Sequence, residues 1–397
     1  MEDMEAAWSR ILFETGEHHD LWQDAVSPPI YYASNFCAPN FAALQAKLER
    51  EFDAPFYTRG VNPTVSILRE KLAALEQAED ALLFSSGSAA ISAAVLSLVH
   101  AGQHVLCVEK PYSWTYRLLE DFLIPNGVEV SYYSPSDSAD LQPWIRPNTR
   151  IIIAESPNSL TFEVSDLSSI ARVAKANGCL TLADNSFSTP LLQLPLTMGF
   201  DLVAHSATKY LSGHSDVVAG ALMGSKAWIR HIQTTGFMTL GASPNAMDAW
   251  LILRGLRTLP LRVMRSCDAA EALIDAIKDH PAVEKIAYPG LESHPGHAWA
   301  KNQMRRFGGM CSIYLNARNF EDIEAFCDAL KVFKLACSWG SYESLLLPMA
   351  AYAKTPETYH GKTPWNVVRV YAGLEDMSLQ QQDMLHALDK LAARVMP

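Results

Sequence analysis

At 397 residues the chain exceeds what one ordinary core organises, and its 49% apolar content is ample for burial, so a large and a smaller domain are expected. A formal charge of −11 without any concentrated Lys/Arg block argues against a nucleic-acid or anionic-membrane partner, and no apolar run reaches membrane-spanning length. Residues 1 to 20 do not read as a secretory signal, and the seven cysteines (Cys37, Cys107, Cys179, Cys267, Cys311, Cys327, Cys337) are scattered without a C-x-x-C pair, as reduced packing residues of a cytoplasmic protein would be.

The opening stretch, to about Gly60, lacks sustained periodicity and reads as an arm of the kind that wraps a partner subunit. Ser66 to Gln77 then carries Leu68, Leu72 and Leu75 at helical spacing. From Ala81 short apolar runs alternate with helical stretches: Ala81 to Phe84, His104 to Val108, Val128 to Tyr133, Arg150 to Ala154, Cys179 to Ala183, Asp201 to Ala204 and Val217 to Met223. Runs apolar at nearly every position suit buried parallel strands, and their alternation with helices predicts an α/β sheet wound by right-handed crossovers. Near Leu256 the pattern changes: a long helix is predicted through Arg262 to Lys278, with strands at Met310 to Leu315, Val332 to Ala336 and Asn366 to Tyr371. A last helix opens on a capping-box pattern, Ser378 three residues before Gln381. The division read from this is an arm over 1–60, a large domain over 61–256 and a smaller α/β domain over 257–397.

One undecapeptide concentrates chemistry. Ser206-Ala-Thr-Lys-Tyr-Leu-Ser-Gly-His-Ser-Asp216 places Lys209 just after an apolar run, with the hydroxyls of Ser206 and Thr208 within three residues. Asp184 ends an earlier run. An amine for a Schiff base, hydroxyls for a phosphate and a carboxylate for a pyridine nitrogen are the equipment for holding pyridoxal 5'-phosphate (PLP). The small-residue turn Ser86-Gly87-Ser88 before a helical run exposes unpaired N–H groups to a phosphate. Arg369, inside an apolar run, is costly to bury without a partner, which favours a role in binding. His294 and His297 lack carboxylate or cysteine support and read as a structural loop, so no metal site is expected.

Further matches fall in order along nearly the whole chain. Tyr57-Thr-Arg59-Gly-Val-Asn62-Pro-Thr64, Ser85-Ser-Gly87-Ser88-Ala-Ala-Ile91, Tyr112-Ser-Trp-Thr-Tyr-Arg-Leu118 and Asp184-Asn-Ser-Phe-Ser-Thr-Pro190 accompany the lysine segment. With them the sequence resembles the Cys/Met-metabolism family of PLP enzymes: cystathionine γ-synthases, γ-lyases and β-lyases, and methionine γ-lyases. The resemblance implies an aspartate-aminotransferase-like α/β fold (fold type I), with a large, mostly parallel sheet domain and a smaller C-terminal α/β domain. It implies that Lys209 carries the cofactor, that Asp184 meets its ring nitrogen, and that Tyr112 stacks on the ring. Ser86, Gly87, Ser88, Ser206 and Thr208 would bind the phosphate. Tyr57 and Arg59 would reach it from a neighbouring subunit, making the active unit a dimer within a tetramer. Lys209, Tyr112 and Tyr57 form the catalytic set, and Arg369, Ser338 and Trp339 the substrate set, with Arg369 clamping the α-carboxylate of a small amino acid.

Departures from the commonest pattern bear on the reaction. Where γ-enzymes carry ESPxNP, this chain has Glu155-Ser-Pro157-Asn158-Ser159, with Asn158 one residue out of register. Trp339 and the serine of ESPxS resemble bacterial cystathionine β-lyases; Cys337 matches neither the Glu of γ-lyases nor the Tyr of those β-lyases. Trp114 replaces a usually small residue and either narrows the pocket or fills space. The reading is a transsulfuration lyase that splits cystathionine, or a related S-substituted cysteine, at its β-carbon. A γ-enzyme of the family is the alternative, and a non-catalytic PLP-binding regulator a remote one.

Overall fold

The computed structural model describes residues 2–395. The apolar runs of the first half become β1 (Asp80–Phe84), β2 (His104–Val108), β3 (Glu129–Tyr133), β4 (Thr149–Glu155), β5 (Leu180–Asp184), β6 (Leu202–Ser206) and β7 (Gly220–Gly224). They form one sheet ordered β1-β7-β6-β5-β4-β2-β3. Strands β3, β2, β4, β5 and β6 run parallel, whereas β7 is antiparallel to both β6 and β1. Strands β2 and β7 are buried along their full length, because the sheet is covered on both faces. Helix α4 (Gly87–Leu98) packs with Ile170 and Val173 on one face; α3 (Pro63–Glu76) and Leu253, Leu256 and Val263 fill the other.

The opening stretch contains more structure than its sequence pattern predicts. Helix α1 (Glu2–Phe13) docks Leu12 into the core beside Leu68 and Leu72, and the buried Lys71 ammonium holds the chain there through Glu17 at 3.0 Å and the carbonyls of Ile11 and Leu12. Helix α2 (Phe41–Glu49) buries no residue in this chain.

The second sheet comprises β8 (Val283–Ala287), β9 (Met310–Leu315), β10 (Lys334–Leu335), β11 (Leu345–Pro348) and β12 (Val367–Tyr371), ordered β10-β11-β12-β9-β8. It is antiparallel apart from the β10–β11 pair, and its core is shared with the helices Leu259–Ile277, Phe320–Ala329 and Met377–Val395. The predicted strand at Val332 to Ala336 shrinks to an exposed two-residue edge, and the short β8 and β11 have no sequence-stretch long enough to announce them. The last helix is capped by Asp376, whose Oδ1 accepts the Ser378 and Leu379 N–H groups; the Ser378–Gln381 capping box does not form. An aspartate two residues earlier outcompetes the serine because it offers an acceptor to two orphan amides at once.

Candidate active site

Parallel strands end together, so the carboxyl edge of the large sheet collects residues far apart in sequence. Lys209 lies in the turn after β6, its N–H bonded to the Ser206 carbonyl at 3.1 Å. Its Nζ donates to Ser338 Oγ at 2.7 Å and stands 5.5 Å from the Trp339 ring. That loop can lie on the lysine because Gly340 has φ +87° and a Cβ there would sit 2.7 Å from Tyr210 N. Ser338 also has a positive φ, 79°, a conformation costly for a residue with a side chain. The Trp339 ring is wedged against Tyr210 (5.6 Å between centroids) and Phe187 (6.3 Å). Burial lowers the Lys209 amine to about 8, and the nearby Arg369 guanidinium adds to the effect. A neutral amine is thereby within reach near physiological pH.

Asp184 closes β5 in register with Glu155 at the end of β4. Its Oδ1 accepts from Ser186 N at 3.0 Å and Ser186 Oγ at 2.6 Å, and that hydroxyl accepts from Ser206 N at 2.6 Å, which ties the ends of β5 and β6 together. Glu155 is buried; its Oε2 accepts the Tyr112 N–H at 2.6 Å and its Oε1 the Ser159 hydroxyl at 2.5 Å. Burial first, and the charge of Asp184 second, push the Glu155 carboxyl up to about 8.

The turn after β1 sets a helix N-terminus, shaped as an anion cradle would be, beside the end of β6. Ser86 caps α4, accepting from Ala89 N at 3.1 Å, and the helix is long enough to present a full set of N-terminal amides. Gly87 lies so close to Ser206 that a Cβ would stand 2.9 Å from its Cα, so any side chain would fill the cradle. Ser88 lies beside the Tyr112 hydroxyl, whose pKa burial pushes up. Thr208 already donates its hydroxyl to Ala219 O at 3.1 Å and accepts from Ala219 N at 3.0 Å, so serving a phosphate requires that hydrogen to rotate.

Arg369, central on β12, is 8% exposed, and its Nη2 reaches the Ser338 carbonyl at 3.3 Å. Among the described residues no carboxylate pairs with it. Lys209, Ser338, Trp339 and Arg369 therefore converge, as do Asp184, Glu155, Tyr112 and Ser88. Tyr57 and Arg59 stay apart: the Arg59 guanidinium stacks on the Tyr57 ring at 5.6 Å and lines a different cavity with Asn62 and Phe237. Asn158 turns inward, accepting from Thr161 N at 3.0 Å and donating to Glu163, so it closes its own loop while Ser159 faces the strand ends. Trp114 is exposed, and Cys337 is exposed beside Ser338. His294 and His297 shape their loop through Gly296 N and Pro289 O. Glu155 and Ser159 were absent from the predicted site; an acidic residue closing an apolar run beside the run of Asp184 was the available signal.

The profile of the Cys/Met metabolism PLP-dependent enzymes matches residues 10–389. The chain belongs to that family. An L-methionine gamma-lyase of Fusobacterium nucleatum is 35% identical over 91% of this chain and 93% of its own. The cystathionine beta-lyase MetC of Bacillus subtilis is 36% identical over 93% of each. The crystal structure of metB from Corynebacterium glutamicum superposes with a TM-score of 0.89 at 33% identity, covering 97% of this chain and 98% of the other. The fold is accordingly that of the PLP enzymes, and PLP is the cofactor. The residues fit it: a desolvated amine suits an aldehyde, a strand-end carboxylate a pyridinium, and a side-chain-free cradle at a helix start a phosphate. Members of the family act on amino acids, and no helix among the described residues is long and apolar enough to cross a membrane.

Proposed function

We propose that this enzyme is a carbon–sulfur β-lyase that splits cystathionine, with water, into homocysteine, pyruvate and ammonia. The observation that carries the reading is the loop over the lysine: Ser338 Oγ 2.7 Å from Lys209 Nζ, with Trp339 packed behind it. Bound PLP would supply the electron sink for loss of the Cα proton. Lys209 would anchor it, Asp184 would hold its ring nitrogen protonated, Tyr112 would cover one ring face, and Ser86, Gly87, Ser88, Ser206 and Thr208 would take the phosphate. Lys209, once free, takes the Cα proton and delivers a proton to the sulfur as the Cβ–S bond breaks. Ser338 orients the amine between those two positions. Arg369 receives the substrate carboxylate, which its burial without an acidic partner favours. Trp339 matches the residue that the resemblance gives to β-lyases, and Cys337 stands where it gives γ-lyases a Glu, which favours β-elimination over γ-elimination.

Tyr57 and Arg59 are proposed to serve a neighbouring chain's phosphate, since neither faces Lys209 in its own. The exposed α2 nearby suits a subunit contact in a dimer, and the tetramer and cytoplasmic location remain part of the same proposal. A γ-lyase or γ-synthase is the second reading, favoured by the comparable identity of the gamma-lyase and beta-lyase relatives. Incubation with cystathionine separates the two: pyruvate supports β-elimination, and 2-oxobutyrate in its place rejects it.

A further inference from the structure

Glu155 has no task in the chemistry above, yet its surroundings are specific. It ends β4 as Asp184 ends β5, and the two are register partners on adjacent parallel strands. Such side chains leave the sheet on the same side, about 5 Å apart. Two carboxyls so placed repel when both are ionised, and burial magnifies the repulsion. The fold nevertheless buries Glu155 and gives each oxygen one partner: the Tyr112 N–H at 2.6 Å and the Ser159 hydroxyl at 2.5 Å. Tyr112 immediately precedes the short helix Ser113–Arg117, so fixing its amide fixes where its ring projects. Glu155 and Asp184 line one cavity together with Pro111 and Thr115 of that same loop.

We propose that Glu155 is a positioning residue: its carboxyl ties the Tyr112 loop and the Ser159 loop to the strand end that carries Asp184, and so sets the gap between the Tyr112 ring and the Asp184 carboxylate into which the cofactor ring fits. A neutral acid does this without adding a second negative charge beside Asp184. Titrating at about 8, it keeps its proton at neutral pH, and the Ser159 hydroxyl, able to donate or accept, suits either form. The other groups facing it are Asp184 from β5, the Tyr112 phenol and the Cys107 thiol of β2. Above about 8 the second charge appears, Asp184 is repelled, and the gap loosens.

The proposal rests on Asp184 and Tyr112 facing the cofactor, and its test separates the two ideas. Wild type, Glu155→Gln and Glu155→Leu are freed of cofactor; amide exchange is followed in the peptide containing Tyr112, and PLP affinity is measured by equilibrium dialysis from pH 6.5 to 9.5. Glu155→Leu is expected to expose the Tyr112 amide and to raise the Kd for PLP about tenfold, the worth of one hydrogen bond to an amide left unpaired. Glu155→Gln keeps an acceptor without a charge, so it should protect the amide and bind PLP like wild type at neutral pH. Deprotonation of Lys209 favours capture in both proteins over the same range, so the Glu155 effect is read as the ratio of wild-type Kd to Gln-variant Kd, which should rise above about pH 8. Equal impairment by Gln and Leu, or a ratio that stays constant across the pH series, overturns the proposal. Should the Leu variant not fold, the pH series of Glu155→Gln decides alone. Exchange at Tyr112 reports on Glu155 in the absence of cofactor, whereas an error in the wider site would show as failure of borohydride to fix PLP to Lys209.

Discussion

Arg369 offers the sharpest test because two of its roles pull in opposite directions. Arg369 is 8% exposed and its guanidinium reaches a carbonyl at 3.3 Å, so among the described residues it is a buried cation that no carboxylate neutralises. Replacement by Met keeps much of the volume and removes the charge. Two charge-assisted hydrogen bonds to a substrate carboxylate are lost, which at about 3 kcal/mol together raises KM about a hundredfold. The cofactor-free protein should move the other way and gain about 1–3 kcal/mol, as buried charges replaced by apolar groups commonly do. A third readout follows from Lys209. Arg369 is the second cause, after burial, of its lowered pKa, so in Arg369→Met the amine should titrate above the wild-type value of about 8. The assays are steady-state kinetics with the amino-acid substrate, thermal melting without cofactor, and the pH dependence of PLP uptake. An unchanged KM combined with a lower melting temperature would falsify the assignment, since a purely structural arginine behaves that way.

Four further outcomes are expected. Borohydride should fix PLP to the peptide carrying Lys209, and Lys209→Ala should lose activity by several orders of magnitude while still folding; cofactor fixed at another lysine contradicts this. In wild type, PLP capture by cofactor-free protein should accelerate as pH rises through about 8, because the amine is neutral above that value, and then level off; continued acceleration toward pH 10 would mean an ordinary exposed lysine. Gly87→Ala places a methyl 2.9 Å from Ser206, so it should weaken PLP binding or cost about 1–3 kcal/mol of stability, read by dialysis and melting, and wild-type values in both would remove the cradle argument. Mixing Arg59→Ala with Lys209→Ala chains under subunit exchange should restore at most about one quarter of wild-type activity, since one site of each mixed dimer carries neither lesion; no recovery, with exchange verified by mass, shows that each site is built within one chain.

Much of the large domain was legible because strands covered on both faces are written as unbroken apolar runs, and β1, β2, β4, β5 and β6 fall within a residue or two of those runs. The direction of β7 was not legible, since an apolar run is the same read either way and only pairing decides parallel from antiparallel. The second sheet was harder: β8 is half-exposed and β11 four residues long, too short for a period to show. The lysine segment and Asp184 were legible as contiguous motifs whose local order carries the chemistry. Geometry across the site was not. Lys209 meets Ser338 over a separation of 129 residues, through a loop whose approach depends on the left-handed backbone at Ser338 and Gly340. The isolation of Arg369 from the carboxylates of the described residues is likewise a property of what surrounds it in space. Glu155 makes the point most plainly: as a sequence letter it is one acid after an apolar run. Parallel register alone sets it beside Asp184, and the low dielectric of the packed strand ends turns that adjacency into a carboxyl that keeps its proton.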